Sequence, residues 1–463
     1  MEVVDRCQIF LPPDFTPPST VPLSFLDIPW LFLSSPVQRV LFYNLPQGYT
    51  FQEFTGTALP SFKHSLSLAL QRFYPLSGSL ACALPKGRPH ILCSKESSVP
   101  FTAAVSTADF DEITSDSPQE ASLLHQLVPT LGGPIVKDGT RLAPLFSVQV
   151  TLFPSKGISI GVHFLHIVAD GMAISHFMKT WASICRAELQ GDSSCILNSL
   201  PVHDRCLLKD PNGIETIWME NGGKLIPPPE KDHGLIRRQP ADKVYRATFT
   251  LSRDHIDRLK SWILNQSEEQ LQHLSTFVAI CAYAWVCLIK SMEAEKATGS
   301  SNTDIVYGFA FSADCRGRLG YPIPNSYFGN CLSLHFVLLM RDDLVGRQGI
   351  LLAARAIGAK VNELGEEGAP LRALERFFVD VDEVCTVHTL IVSGTTRQRF
   401  YDTDFGWGRP WKSLAGHIDR GTCISLAESR EGSDGLEIGL AGTKATMDAF
   451  SAIFEQGIRS MDV

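Results

Sequence analysis

Residues 198–243 limit the folds open to this chain more than any other stretch. They hold Pro201, Asp210-Pro211-Asn212-Gly213, Asn221-Gly222-Gly223, Pro227-Pro228-Pro229 and Arg237-Arg238-Gln239-Pro240. Proline removes a backbone donor and glycine adds backbone freedom, so this density breaks regular structure and leaves room only for a short helix over residues 214–220. The break predicts two domains, residues 1–197 and 244–463, joined by a linker over 198–243. Each half has an ordinary domain size, whereas 463 residues exceed what one hydrophobic core usually organises.

Both halves alternate strand and helix signals, which predicts an α/β class. Residues 61–73 have helical spacing. Phe146–Phe153 reads as a strand, residues 154–157 supply turn chemistry, and residues 158–166 return as a second strand. In the second half, Ser252 is a candidate cap for a helix running to Leu264. Ser275 or Thr276 opens a helix over the apolar run 277–289. Strands are predicted at 305–311, 332–340, 389–392 and 436–440, and a closing helix at about 445–456.

Composition excludes several classes. Apolar residues at 44% and charged residues at 19% describe a globular chain, and 41 basic against 49 acidic residues argue against a general nucleic-acid binder. The run 277–289 is too short to span a bilayer and reads as a buried helix. The twelve cysteines are scattered without a C-x-x-C pair, which points to free thiols and gives no support to a zinc site. The first twenty residues do not read as a signal peptide, so a cytoplasmic protein is expected. Neither a G-x-x-x-x-G-K-[ST] loop nor a G-x-G-x-x-G fingerprint is present.

Chemistry concentrates after residue 157. On a strand over 158–166, Ile158, Ile160, Val162, Phe164 and His166 share one face, and His166 ends an apolar stripe. Asp170-Gly171 follows, then a helix with Ile174, Phe177, Met178, Trp181, Ile184 and Cys185 on one face. Burial disfavours imidazolium, so His166 is expected to be neutral and fit to act as a base; a core histidine satisfied by a backbone carbonyl is the plainer alternative. Gly157-Ile158-Ser159-Ile160-Gly161 matches the G-x-S-x-G nucleophile elbow, which would make a serine hydrolase using Ser159. That elbow needs a strand-to-helix turn, and Ser159 falls inside a strand. A metal held by His163, His166 and Asp170 is weaker still, because histidines three apart on a strand point to opposite faces.

A second segment, Asp404-Phe405-Gly406-Trp407-Gly408, stands far downstream. With His166-x-x-x-Asp170-Gly171 in this order, the chain resembles the BAHD family of plant acyl-coenzyme A dependent acyltransferases. The resemblance extends over Leu23–Asp27, residues 74–78, Asp204-Arg205, Asp210–Gly213 and Asp314-Cys315-Arg316-Gly317-Arg318. Tyr327-Phe328-Gly329-Asn330-Cys331 is similar to the Y-F-G-N-C signature of the branch that acylates anthocyanins and phenolic glycosides, often with malonyl groups.

The resemblance implies two chloramphenicol-acetyltransferase-like domains joined by a long crossover loop, with a channel between them for acyl-coenzyme A and acceptor. It implies His166 as general base, with no covalent acyl-enzyme, no metal and no permanent cofactor. It implies that Asp170 turns away from the base to pair with Arg316, and that Gly171, Asp404, Gly406, Trp407 and Gly408 support the site; the Trp407 indole is also one conceivable oxyanion donor. The expected donor is malonyl-coenzyme A and the expected acceptor a flavonoid or other phenolic glucoside, with hydroxycinnamoyl or acetyl transfer as the alternative. A malonyl carboxylate needs a cation, for which Lys179, Arg186, Arg397 and Arg399 are the candidates. Met172 and Thr395 depart from the patterns of malonylating and hydroxycinnamoyl-transferring relatives respectively. A monomer without nucleic-acid or membrane partners is expected.

Overall fold

In the computed structural model, all residues are described here except 34–35, 84–86, 192–198, 226–242, 268–273, 296–304, 385–386, 421–422, 433 and 462–463. Pro227–Pro229 and Arg237–Pro240 of the proposed linker lie outside the described residues.

The hairpin Phe146–Phe153 and Gly157–Phe164 is buried at every position. Both faces of the sheet are covered, so even the polar positions Ser147, Gln149, Thr151 and Ser159 are buried. Alternation on the neighbouring strand Val37–Asn44 shows the two covers. Leu41 and Tyr43 enter the large core beneath the helices Leu59–Arg72 and Gly171–Gln190, while Val40 and Phe42 enter a smaller one with Phe110, Ile113 and Leu127. The full sheet runs Glu2–Phe10, Ser98–Val105, Phe146–Phe153, Gly157–Phe164, Val37–Asn44, Lys412–Ala415.

The second large sheet has seven strands: Leu332–Met340, Val306–Asp314, His388–Ser393, Cys423–Glu428, Leu436–Gly442, Tyr245–Leu251 and Gln119–Glu120. Each sheet therefore takes one edge strand from the opposite half of the chain. Those exchanged strands cover open edges and tie the halves together, which the linker position alone does not reveal. A five-stranded sheet flanks the first core.

Local signals place the helices. Ser252 caps Arg253–Asn265 in a reciprocal capping box with His255. The Ser275 hydroxyl accepts from Val278 N at 3.2 Å and opens Thr276–Glu295. That helix is long and apolar enough to cross a membrane by composition, yet it is the central helix of the second core, with Val278–Ile289 buried throughout. The described cysteines are free thiols.

Burial holds His203, His335 and His417 each at about 4. An unfolded histidine titrates near ~6.5, so between these values the unfolded chain binds protons that the folded chain refuses. Stability is therefore expected to fall as pH drops from about 6.5 to 4, with no contribution from these groups above that window. A melting temperature that stays level from pH 7 to 4.5 contradicts this.

Candidate active site

The returning strand stops at Phe164, two residues before His166, which corrects the reading of His166 as the end of the stripe. Leu165 N still bonds to Leu145 O at 2.9 Å; the chain then turns through the 3₁₀ segment His166–Val168. Leaving the ladder frees the imidazole from the strand's alternation. Its ring stacks on Trp30, with centroids 3.7 Å apart and planes 11° from parallel.

The tautomer of His166 follows from its neighbours. Nδ1 lies 3.0 Å from Asn330 Oδ1. The Asn330 amide nitrogen donates to His166 O and Asp27 Oδ1, both at 2.9 Å, so its oxygen is the atom turned to the ring. A carbonyl oxygen only accepts, hence Nδ1 carries the proton and Nε2 keeps its lone pair. Burial lowers the His166 pKa, against the opposing pull of Asp170 and the Asn330 bond. Near pH 7 the ring is neutral, with a basic nitrogen.

Behind Asn330 stands a wholly buried network. Asp27 Oδ1 also accepts from Asn330 N at 2.9 Å. Its Oδ2 accepts from Ser24 N and Oγ, at 2.9 and 2.8 Å, and from Arg205 Nε at 3.1 Å. Arg205 also donates to Phe328 O. Three segments far apart in sequence thus converge on one imidazole. Sequence reasoning noticed all three strings but assigned no role to Asn330, Asp27 or Arg205. Replacing Asn330 with Leu is expected to lower kcat on the order of 10²-fold through misplacement of the ring, with little change in KM. An unaltered kcat contradicts the positioning role.

Asp170 turns away from the imidazole. Oδ2 lies 2.9 Å from Arg316 Nη2 and accepts from Cys331 N at 3.1 Å, while Oδ1 caps the following helix through Ala173 N at 2.9 Å. Gly171 is required by space: a Cβ there would meet Gln398 Nε2 at 1.9 Å.

The Asp404–Gly408 loop forms a separate knot. Asp404 Oδ1 accepts from Gly406 N and Gly408 N at 2.8 and 2.9 Å, and Oδ2 from Arg186 Nη1 at 3.1 Å. Gly406 and Gly408 have φ of 117° and 84°, a region that penalises side chains. Trp407 packs against Tyr43, Tyr49 and Phe62 and does not line the cavity at His166, which removes it as an oxyanion donor. Asp404→Ala is expected to lower stability by about 1–2 kcal/mol, because two loop amides lose their acceptor and the ion pair is partly exposed. Equal stability in a melting experiment contradicts it.

Ser159 lies inside the strand, fully buried, with no hydrogen-bond partner for Oγ. His163 Nδ1 meets Pro129 O at 2.7 Å, and neither residue lines the cavity. The elbow geometry of a serine hydrolase is absent from this segment.

The cavity itself encloses about 590 Å³ and draws its walls from both halves: Trp30, Arg39, Phe164, His166 and Met172 from the first, Phe311, Arg318, Phe336, Thr395, Arg397 and His417 from the second. Of the four candidate cations, Arg186 is paired with Asp404, and Arg399 lies 2.6 Å from Asp402. Lys179 donates to Gln398 O at 3.0 Å. Arg397 alone of the four lines the cavity.

The fold is mixed α/β, and it sets a neutral histidine in a cavity walled by both halves of the chain. A solved structure, vinorine synthase, shares the fold with TM-score 0.71 and 22% identity, over 97% of this chain and 96% of that one. The family model described as "Transferase family" matches residues 3–456. An Arabidopsis thaliana protein named coumaroyl-CoA:anthocyanidin 3-O-glucoside-6''-O-coumaroyltransferase 1 is 38% identical over 472 residues, covering 99% of this chain and 97% of its own. A Dahlia pinnata protein named malonyl-coenzyme A:anthocyanin 3-O-glucoside-6''-O-malonyltransferase is 34% identical over 467 residues, covering 99% and 98%. The chain belongs to the BAHD acyltransferase family. It is an enzyme, and acyl-coenzyme A is its co-substrate.

Proposed function

We propose that the protein moves an acyl group from acyl-coenzyme A to a sugar hydroxyl of a phenolic glucoside, with His166 as general base. The observation that carries this reading is the free Nε2 of a neutral imidazole inside a cavity walled by both halves. Nε2 takes the proton of the acceptor hydroxyl as its oxygen attacks the thioester carbonyl, and the tetrahedral intermediate expels the coenzyme A thiolate. Imidazolium then returns the proton to sulfur. Asp170, Arg316 and Gly171 hold the corner, Asn330 fixes the tautomer, and Asp404 ties the Asp404–Gly408 loop to Arg186 on the helix Gly171–Gln190.

The donor in this reading is malonyl-coenzyme A. The Tyr327–Cys331 and Asp314–Arg318 strings support the histidine corner, so the donor assignment rests on the cavity's cations. Arg39, Arg318 and Arg397 line it, and none has a carboxylate at ion-pair distance among the described residues. Hydroxycinnamoyl transfer is the second reading, favoured by the 38% identity to the Arabidopsis coumaroyltransferase and by the phenylalanines on the wall. Residues 198–243 serve here as the crossover between domains 1–197 and 244–463, in a cytoplasmic monomer that has no nucleic-acid or membrane partner.

Competing malonyl-, acetyl- and coumaroyl-coenzyme A with a flavonoid glucoside tests the donor. Coumaroyl transfer dominant by about tenfold, equal to roughly 1.4 kcal/mol in transition-state binding, overturns malonyl and leaves the acyltransferase. Thiol release without acceptor overturns transfer in favour of hydrolysis.

A further inference from the structure

Arg39 is the one cavity cation that the solvent barely reaches. It sits on the strand Val37–Asn44 opposite Val162, two residues after Val37, which pairs with Phe164. That spacing puts Arg39, Val37 and Phe164 on one face of the sheet, and all three line the cavity. Arg39 is only 6% exposed. One guanidinium nitrogen donates to Ser413 Oγ at 2.9 Å, and the group stacks over Phe400, 3.9 Å from the ring centroid.

A buried cation held by a hydroxyl and an aromatic face is incompletely compensated. The acid that bears most on it, Glu428, stands outside ion-pair distance and spends one oxygen on Tyr401 N at 2.8 Å. Its neighbour Arg246 is already neutralised by Asp419 at 3.1 Å. His417, close by, is neutral, its ring spanning Ser393 Oγ at 2.7 Å and Gln38 O at 3.2 Å. Glu428 therefore acts on Arg39 only from beyond ion-pair distance, and no carboxylate among the described residues pairs with the guanidinium that lines the cavity.

We propose that Arg39 is the specificity-determining counter-ion for the free carboxylate of a dicarboxylic acyl group on coenzyme A, of the malonyl type. This rests on the acyltransferase reading and names the residue that reads the donor. Arg397 is exposed and Arg318 half-buried, so solvent screens both; the same charge at Arg39 acts at lower effective dielectric and on a pre-set guanidinium. A carboxylate there meets the opposite charge of the guanidinium, which a neutral acyl group lacks.

The experiment compares malonyl-coenzyme A with its methyl ester, a neutral near-isostere, on wild type, Arg39→Lys and Arg39→Met, with a phenolic glucoside as acceptor. Wild type is expected to favour the acid by at least thirtyfold in kcat/KM. Arg39→Met is expected to collapse that ratio to near one, and Arg39→Lys to keep part of it. Should Arg39→Met not fold, the wild-type ratio and the Arg39→Lys ratio still decide. Wild type that transfers malonyl without preferring it to the ester overturns the assignment of Arg39, as does a ratio unchanged in either variant. Wild type that transfers coumaroyl but neither malonyl donor overturns the malonyl reading beneath it.

Discussion

His166→Ala is expected to lower kcat by about 10²–10⁴-fold, the usual contribution of a positioned base, while the melting temperature changes little. The imidazole is half-buried and bonded through its ring only to Asn330, so alanine leaves no orphaned charge. The loss falls on kcat and kcat/KM alike, since proton removal belongs to the transition state. The pH profile provides a second check. A base whose pKa lies below the ordinary 6.5 is active above that pKa, so wild-type kcat/KM rises through the acid range and levels at a lower pH than an ordinary imidazole would give. The alanine variant is expected to lack that limb. Ser159→Ala is the control: activity that vanishes there and survives in His166→Ala would overturn the mechanism.

Asp170→Ala is expected to lower stability by about 3–5 kcal/mol. Three groups lose their acceptor together: the Arg316 guanidinium, Cys331 N and the first turn of Gly171–Gln190 through Ala173 N. Arg316 keeps Asp314 Oδ1 at 3.0 Å and Tyr327 O at 3.2 Å, but its carboxylate partner in the interior is gone. Activity falls as well, because the turn that carries His166 ends at this residue. Chemical denaturation read beside steady-state kinetics separates the outcomes. Full stability with lost turnover would make Asp170 a participant in the chemistry instead of a support.

These two residues show where the reading of the chain ran ahead of the structure and where it fell short. The α/β class, the strands Phe146–Phe153 and Leu332–Met340 and the capped helix after Ser252 were legible because each follows from local periodicity and turn chemistry within a dozen residues. His166 was legible as a residue, and its motif pointed to the family. Its geometry was not: the strand ends before it, and the ring's tautomer depends on Asn330, 164 residues away. Asp27 and Arg205 were visible only as matching strings, since an ion pair between residues 178 apart has no periodic signature. Arg39 was missed for the same reason, as its burial comes from Phe400 and Ser413 on segments far down the chain. The exchanged edge strands Gln119–Glu120 and Lys412–Ala415 were likewise invisible, being two and four residues long. Residue types alone set the chemistry available: a histidine able to be neutral, an aspartate able to cap, glycines able to take positive φ. The tertiary structure decided which donor each acceptor meets, because hydrogen bonds and ion pairs depend on distances between segments that only packing sets.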